Sequence, residues 1–150
     1  MISVRKANRE DISTIVSFQQ NMALETESMK LDASIVNNGV THVFDFPENG
    51  FYIVATENEL IVGSMLLTPE WSDWRNATWL WIQSVYVGAE HRKKGVFKSL
   101  YNYIQGVVNR TENYAGLKLY VDQDNKRAQE VYKRMGMDLS HYQLFEWSQK

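Results

Sequence analysis

The chain contains no cysteine. Disulfides, thiolate nucleophiles and zinc–thiolate sites are therefore excluded. Its three histidines, His42, His91 and His141, are scattered along the sequence and make no metal-binding cluster. No apolar run reaches the roughly 18 residues that suggest a membrane span. The first residues, MISVRKANRED, lack the apolar stretch of a signal peptide, and the expectation is a cytoplasmic protein. A basic excess is missing too: the formal net charge is −2, which argues against a nucleic-acid partner. There is no repeat, linker or low-complexity tract. What remains is a chain of 150 residues, 44% hydrophobic. That is enough for one core, and a single domain over residues 1–150 is expected.

The periodicities give an order of elements. Ile2 to Arg5 reads as a strand. Asn8 caps a helix with Asp11 three residues on, and Ile12, Ile15, Val16, Gln19 and Met22 form its apolar face. Glu25 to Lys30 reads as a polar break. Asp32 caps a second helix through Ile35, Val36, Val40, Val43 and Phe44. Pro47-Glu48-Asn49-Gly50 is a turn. Residues 51–56 and 60–68 form a hairpin around Glu57-Asn58-Glu59, and residues 69–77 read as a loop holding Trp71 and Trp74. A closing strand is expected over residues 141–147. Strands and helices are mixed, with a hairpin and two later helical crossovers. The class is α/β or α+β with a mixed sheet.

The most informative stretch is WLWIQSVYVGAEHRKKGVFKSL, residues 79–100. Its first part, through Val85-Tyr86-Val87, is rich in aromatic and β-branched residues and reads as a strand. Arg92-Lys93-Lys94-Gly95 then adds positive charge and one residue free to take φ > 0. A helix follows, with Val96, Leu100, Tyr103, Ile104 and Val107 on one face. A basic loop that opens a helix is the layout of an anion site, because backbone N–H groups point at the ligand. A second block, LKLYVDQDNKRAQEVYKRMG, covers residues 117–136. It reads as a strand over 117–121 and a helix capped by Asp122 or Asp124. Ala128, Val131, Tyr132 and Met135 lie on one stripe, and Gly136 sits at the stop.

Arg92-Lys93-Lys94-Gly95-Val96-Phe97 resembles the Arg/Gln-x-x-Gly-x-Gly/Ala acetyl-CoA signature of the GNAT N-acetyltransferases, with Phe97 in place of a small residue. Asn125, Ala128, Tyr132 and Gly136 resemble the same family's Asn-x-x-Ala-x-x-x-Tyr-x-x-x-Gly pattern. The resemblance implies a mixed, mostly antiparallel sheet flanked by helices, with parallel strands splayed around an acetyl-CoA site. It implies transfer of an acetyl group from acetyl-CoA to an amine. Acetyl-CoA would be held by backbone groups of Val85, Tyr86 and Val87, by the loop Arg92 to Lys98, and by Asn125, Ala128 and Tyr132. A Phe97 ring turned toward the sheet leaves the Phe97 N–H facing the phosphate.

Proton traffic follows from the same resemblance. An amine with a pKa of about 10 is mostly protonated at neutral pH and must lose a proton before it attacks. Tyr132 matches the family tyrosine that reaches the thioester sulfur. Where many members carry a strand glutamate, this chain has Gln83, which orients a water or a substrate group but accepts no proton. Glu25 and Glu27 lie where the family borders its acceptor site, and Glu27 is the preferred base.

The acceptor leaves the fewest marks. Trp71, Trp74, Trp79 and Trp81 cluster in sequence beside Glu70 and Asp73, a composition suited to caging a cation. Trp79 and Trp81, on the strand, are expected to pack. Trp71 and Trp74 either line the acceptor pocket or form a homodimer contact. The expected partner is a small cationic amine. A silent acyl-CoA-binding module and a protein-lysine or N-terminal acetyltransferase are the alternatives.

Overall fold

A computed structural model describes residues 1–150, which fall into two compact units, residues 1–119 and 120–150. The first unit is built on a five-stranded sheet of order β1-β2-β3-β4-β5. β1 (Ile2–Lys6), β2 (Phe51–Glu57), β3 (Leu60–Ser72) and β4 (Ala77–Val87) pair antiparallel, and β5 (Tyr114–Lys118) joins β4 in parallel. The helices of this unit are α1 (Ile12–Glu27), α2 (Ala33–Asp45) and α3 (Val96–Arg110). The expected mixed, mostly antiparallel sheet with flanking helices is present. No helix is long and apolar enough to cross a membrane.

Local chemistry explains most boundaries. Asn8 accepts a hydrogen bond from the Glu10 N–H at 3.0 Å, and Asp11 accepts one from the Asn8 N–H at 2.8 Å. This is a capping box on the 3-10 turn Arg9–Asp11, which leads directly into α1. Asp32 accepts from the N–H groups of Ser34 and Ile35 at the start of α2. Between β2 and β3 the chain turns at Asn58 and Glu59, both at positive φ (50° and 69°), as a tight hairpin of right-twisted strands requires. The crossover through α3 then brings β5 back parallel to β4.

The strand alternation divides the core. Tyr52 and Val54 of β2 pack with Ile15 of α1 and Val40 of α2. Ile53 and Ala55 alternate with them toward the opposite face, where α3 contributes Val96, Leu100 and Ile104, all buried. Burying side chains of this size contributes about 1.5–3 kcal/mol each. Gly63 allows α3 to sit close to β3. A Cβ there would lie 3.0 Å from Val96 Cγ1 and 3.0 Å from the Tyr86 carbonyl oxygen.

Several boundaries differ from the sequence reading. α1 runs on through Glu27, so Glu25 and Glu27 stand on its last turn and not in a polar break. Glu and Thr are compatible with a helix, and what ends α1 is Ser28 in the left-handed region (φ 51°). The expected loop over residues 69–77 shrinks to 73–76, and Trp71 lies on β3 paired with Thr78. Pro69 is tolerated because β3 has by then run past its last β2 pair, Phe51↔Leu67. β5 begins at Tyr114 and ends at Lys118, three residues earlier than expected at each end. Gly116 sets this register: it lies beneath the Trp79 ring, and a Cβ there would come within 2.7 Å of it.

In the second unit, α4 (Lys126–Arg134) is capped by Asn125, whose Oδ1 accepts from the Ala128 N–H at 3.1 Å. Asp122 and Asp124, the expected caps, instead form a turn just upstream, with Asp122 Oδ1 accepting from the Asp124 N–H. Gly136 ends the helix at φ 91°, as expected. Residues 141–147 form no strand. Their apolar pattern suits one, but the segment has no ladder in the sheet, and Tyr142, Phe145 and Trp147 are exposed.

Candidate active site

β4 pairs with β3 as far as Gly63↔Val87, but its pairing with β5 stops at Trp81↔Lys118. From Ile82 to Val87, therefore, the backbone groups directed away from β3 have no strand partner. A register shift marks where this opening begins. Leu66 pairs with Ser84 and Leu67 with Ile82, which makes Gln83 the extra residue of a β-bulge. A bulge bends its strand and re-aims a side chain. Here it leaves Gln83 exposed at the point where β4 and β5 part. Val85, Tyr86 and Val87 lie along the open stretch.

The chain leaves β4 through Gly88 and a short 3-10 turn, Ala89–His91. The Gly88 N–H donates to the Val62 carbonyl at 2.9 Å, and His91 Nδ1 meets Glu57 Oε2 at 3.0 Å. These contacts tie the loop to β3 and β2. Lys93 and Gly95 both adopt positive φ (63° and 82°). Gly95 is the N-cap of α3 and has no side chain, so no cap covers the first N–H groups of the helix. A concavity of about 220 Å³ lies here, lined by Val87, by Arg92, Lys93 and Gly95 of the loop, and by Val96, Phe97 and Lys98 of the first turn of α3. Lys93, Lys94 and Lys98 are exposed and take part in none of the ion pairs. The Phe97 ring lies beside buried Tyr101, with centroids 6.3 Å apart. The loop thus accommodates an aromatic residue where the signature has a small one.

α1 runs along β4 beside this opening. Gln19 Nε2 donates to Ser84 Oγ at 3.0 Å, and the Phe18 and Tyr86 rings are 5.0 Å apart. At the end of α1, the Tyr86 hydroxyl donates to Glu25 Oε1 at 3.0 Å, and an Arg92 terminal N–H donates to Glu25 Oε2 at 2.5 Å. Arg92 Nε also donates to the Val87 carbonyl at 3.0 Å, and the guanidinium lies 5.5 Å from the Tyr86 ring centroid. Hydrogen bonds from Arg92 and then Tyr86 hold the Glu25 carboxyl below its usual value. Burial, reinforced by Glu25, pushes the Tyr86 phenol up.

The structure thus brings Glu25 into this cluster, whereas Glu27 is exposed one step further along α1. The sequence carried a signal for this. The α1 face that passes through Phe18 and Met22 reaches Glu25 at the next helical interval and leaves Glu27 off it.

The tryptophans divide differently. Lys118 Nζ sits 4.7 Å from the Trp79 ring centroid and 5.6 Å from that of Trp81, and donates to Glu70 Oε2 at 2.8 Å. Arg75 lies over Trp79 at 5.3 Å. Trp79, Trp81 and Glu70 surround the chain's own Lys118, so these two tryptophans pack within the protein, as expected, and hold an internal cation where the sequence suggested a cage for an acceptor. Trp71 and Trp74 are 61% and 94% exposed on the β3–β4 hairpin.

In the second unit, Ala128 and Tyr132 lie on α4, and the Asn125 side chain is engaged in the cap. Burial pushes the Tyr132 phenol above its ordinary value. A phenol raised in this way stays protonated at neutral pH.

Comparison with known proteins places these observations in a family. A model described as "Acetyltransferase (GNAT) family" matches residues 15–137. A crystal structure of a possible acetyltransferase from Clostridium difficile 630 is 39% identical, with a TM-score of 0.94 over 100% of this chain and 99% of that one. Aminoglycoside N-acetyltransferase AAC(6')-Iy, in complex with CoA, superimposes with a TM-score of 0.81 at 10% identity over 100% of this chain and 96% of that one. An aminoglycoside acetyltransferase from an uncultured soil metagenomic sample, in complex with sisomicin, gives 0.79 at 12% identity over 99% and 97%. The last two likenesses are likenesses of fold. No curated protein matches the chain.

Proposed function

Because the chain belongs to the GNAT acetyltransferase family and is an acetyl-CoA-dependent acetyltransferase, we propose that its acceptor is a primary amine on a small cationic molecule, which attacks the thioester directly. One observation carries the donor half of this reading. The open backbone of β4 from Ile82 to Val87 leads straight into an α3 N-terminus that no side chain caps, flanked by three lysines outside any ion pair. An extended, polyanionic thioester fits that sequence of features. The strand edge offers amide and carbonyl groups as it would to an added strand. The helix start offers N–H groups and its dipole to phosphate.

In this arrangement the backbone groups of Val85 and Val87 align the arm that carries the acetyl group. The N–H groups of Val96, Phe97 and Lys98, with Lys93 and Lys94, hold the pyrophosphate. A β4 N–H near Val85 takes the negative charge that builds on the carbonyl oxygen, a contribution of several kcal/mol in acyl transfer. Tyr132, held protonated, gives its proton to the departing thiolate. Glu25 is a poor candidate for base because Arg92 and Tyr86 both stabilise its ionised form. Glu27 remains the carboxylate suited to take the amine's proton, and Gln83, turned out by the bulge, orients water or substrate.

The acceptor half is supported by exposed Trp71 and Trp74 on the hairpin. It is further supported by fold neighbours named as aminoglycoside acetyltransferases. The test is thiol release from acetyl-CoA across polyamines, amino acids, aminoglycosides and lysine peptides, with Tyr132→Phe alongside. Turnover with one class of small cationic amine is expected, and it should fall by roughly 100-fold or more in the variant. Turnover with lysine peptides alone would overturn the small-molecule reading and make the chain a protein acetyltransferase.

A further inference from the structure

The cluster at the end of α1 has a charge arrangement that the phosphate-binding reading leaves unexplained. Arg92 opens the basic loop, yet it differs from the three lysines around it. Its charge is matched by Glu25 at 2.5 Å, and its Nε is committed to the Val87 carbonyl at 3.0 Å. Tyr86 lies under the guanidinium and donates to the second Glu25 oxygen. The Arg92–Glu25 pair is net neutral toward an incoming anion. The guanidinium also joins three elements: the last residue of β4, the last turn of α1 and the loop that opens α3.

We propose that Arg92 is a positioning residue and not a phosphate ligand. It is fastened by Glu25 and Tyr86 so that the loop through Gly95 is set before the donor arrives. This rests on the acetyl-CoA reading above and adds Glu25 and Tyr86 to the groups on which donor affinity depends. The physical gain is preorganisation. Lys93 and Gly95 are held in left-handed conformations, which a lysine adopts at some cost. A loop fixed in that shape loses less freedom on binding.

The two roles for Arg92 predict opposite signs for one substitution. If Arg92 were a phosphate ligand restrained by Glu25, Glu25→Gln would release its charge and tighten CoA binding. If Arg92 positions the loop, Glu25→Gln loosens it and weakens CoA binding. The experiment is calorimetric titration of CoA into wild type, Glu25→Gln, Arg92→Gln, Arg92→Lys and the Glu25→Gln/Arg92→Gln double variant. Amide hydrogen exchange of the ligand-free proteins over residues 92–98 accompanies it.

The expected result is a loss of affinity of about three- to tenfold in Glu25→Gln and in Arg92→Gln, with the double variant no weaker than the worse single one. Arg92→Lys should recover part of the loss. Exchange in the loop should quicken in Glu25→Gln before any ligand is added. In steady state the loss should fall on KM for acetyl-CoA, with kcat at saturation retained. Tighter or unchanged CoA binding by Glu25→Gln, or additive losses in the double variant, would overturn the positioning role. A wild-type protein that binds no CoA would instead defeat the donor-binding reading itself.

Discussion

Asp11 is one of two buried polar or charged side chains, and its hydrogen bonds come from two directions. Arg5 donates to both carboxylate oxygens, at 2.7 and 3.0 Å, and the Asn8 N–H adds a third bond at 2.8 Å. One residue therefore closes the helix cap and pins β1 to the start of α1. The Arg5 hydrogen bond is the main reason the Asp11 carboxyl is held below its ordinary value of 3.8. The sign of the pH dependence follows. A depressed carboxyl contributes stability above its unfolded value and loses it as pH falls through the lower folded value. Asp11→Asn keeps the shape but weakens the charge-assisted bonds, and should cost about 1–3 kcal/mol at pH 7. In urea titrations that difference from wild type should hold from pH 7 down to about 5, begin to shrink near 3.8 and close only below the depressed folded value. A gap that stays constant to low pH would show that the charge on Asp11 is not what stabilises the junction.

At the level of elements, the helices were legible where their faces were periodic. Asp32 and Gly95 mark the starts of α2 and α3 at their observed places, and Asn8 caps the 3-10 turn that leads into α1, whereas α4 starts at Asn125 and not at Asp122 or Asp124. What the sequence could not show were features fixed by contact between distant segments. Glu25 belongs to α1 and to the Arg92 cluster, a pairing across 67 positions that local pattern does not encode. Lys118 fills the tryptophan cage because parallel pairing sets it beside Trp79 and Trp81. The β5 boundary follows from Gly116 beneath Trp79. Likewise, the bulge at Gln83 appears only once β3 and β4 are paired, although Gln83 itself stood out in the sequence. Gly63 tests how elements position the donor loop, since α3 begins directly over it. Gly63→Ala would press a methyl group on Val96 and on the Tyr86 carbonyl and lift the N-terminus of α3. Overpacking of this kind costs about 1–3 kcal/mol. The expected outcome is a lower Tm together with a raised KM for acetyl-CoA. A variant with lowered Tm and an unchanged KM would separate the packing of α3 from the binding of the donor.

For the molecule as a whole, the proposed donor site and the core share their elements. β4 lends its outer edge to the site and its inner ladder to the sheet, and α3 lends its first turn to the site and Leu100 and Ile104 to the core. A ligand held by such groups binds the folded chain and not the unfolded one, so its binding free energy adds to stability. At a concentration 100 times its Kd, CoA should stabilise the protein by about 2.7 kcal/mol. For a chain of this size each kcal/mol raises Tm by roughly 2–4 °C, giving an expected rise of roughly 5–10 °C by calorimetry. The rise should track the logarithm of CoA concentration. Amide protection should grow over residues 82–87 and 93–98, where the open strand edge meets the α3 start. A rise below roughly 1 °C at saturation, or protection confined to other segments, would mean that the open edge of β4 and the uncapped start of α3 are not where the donor is held.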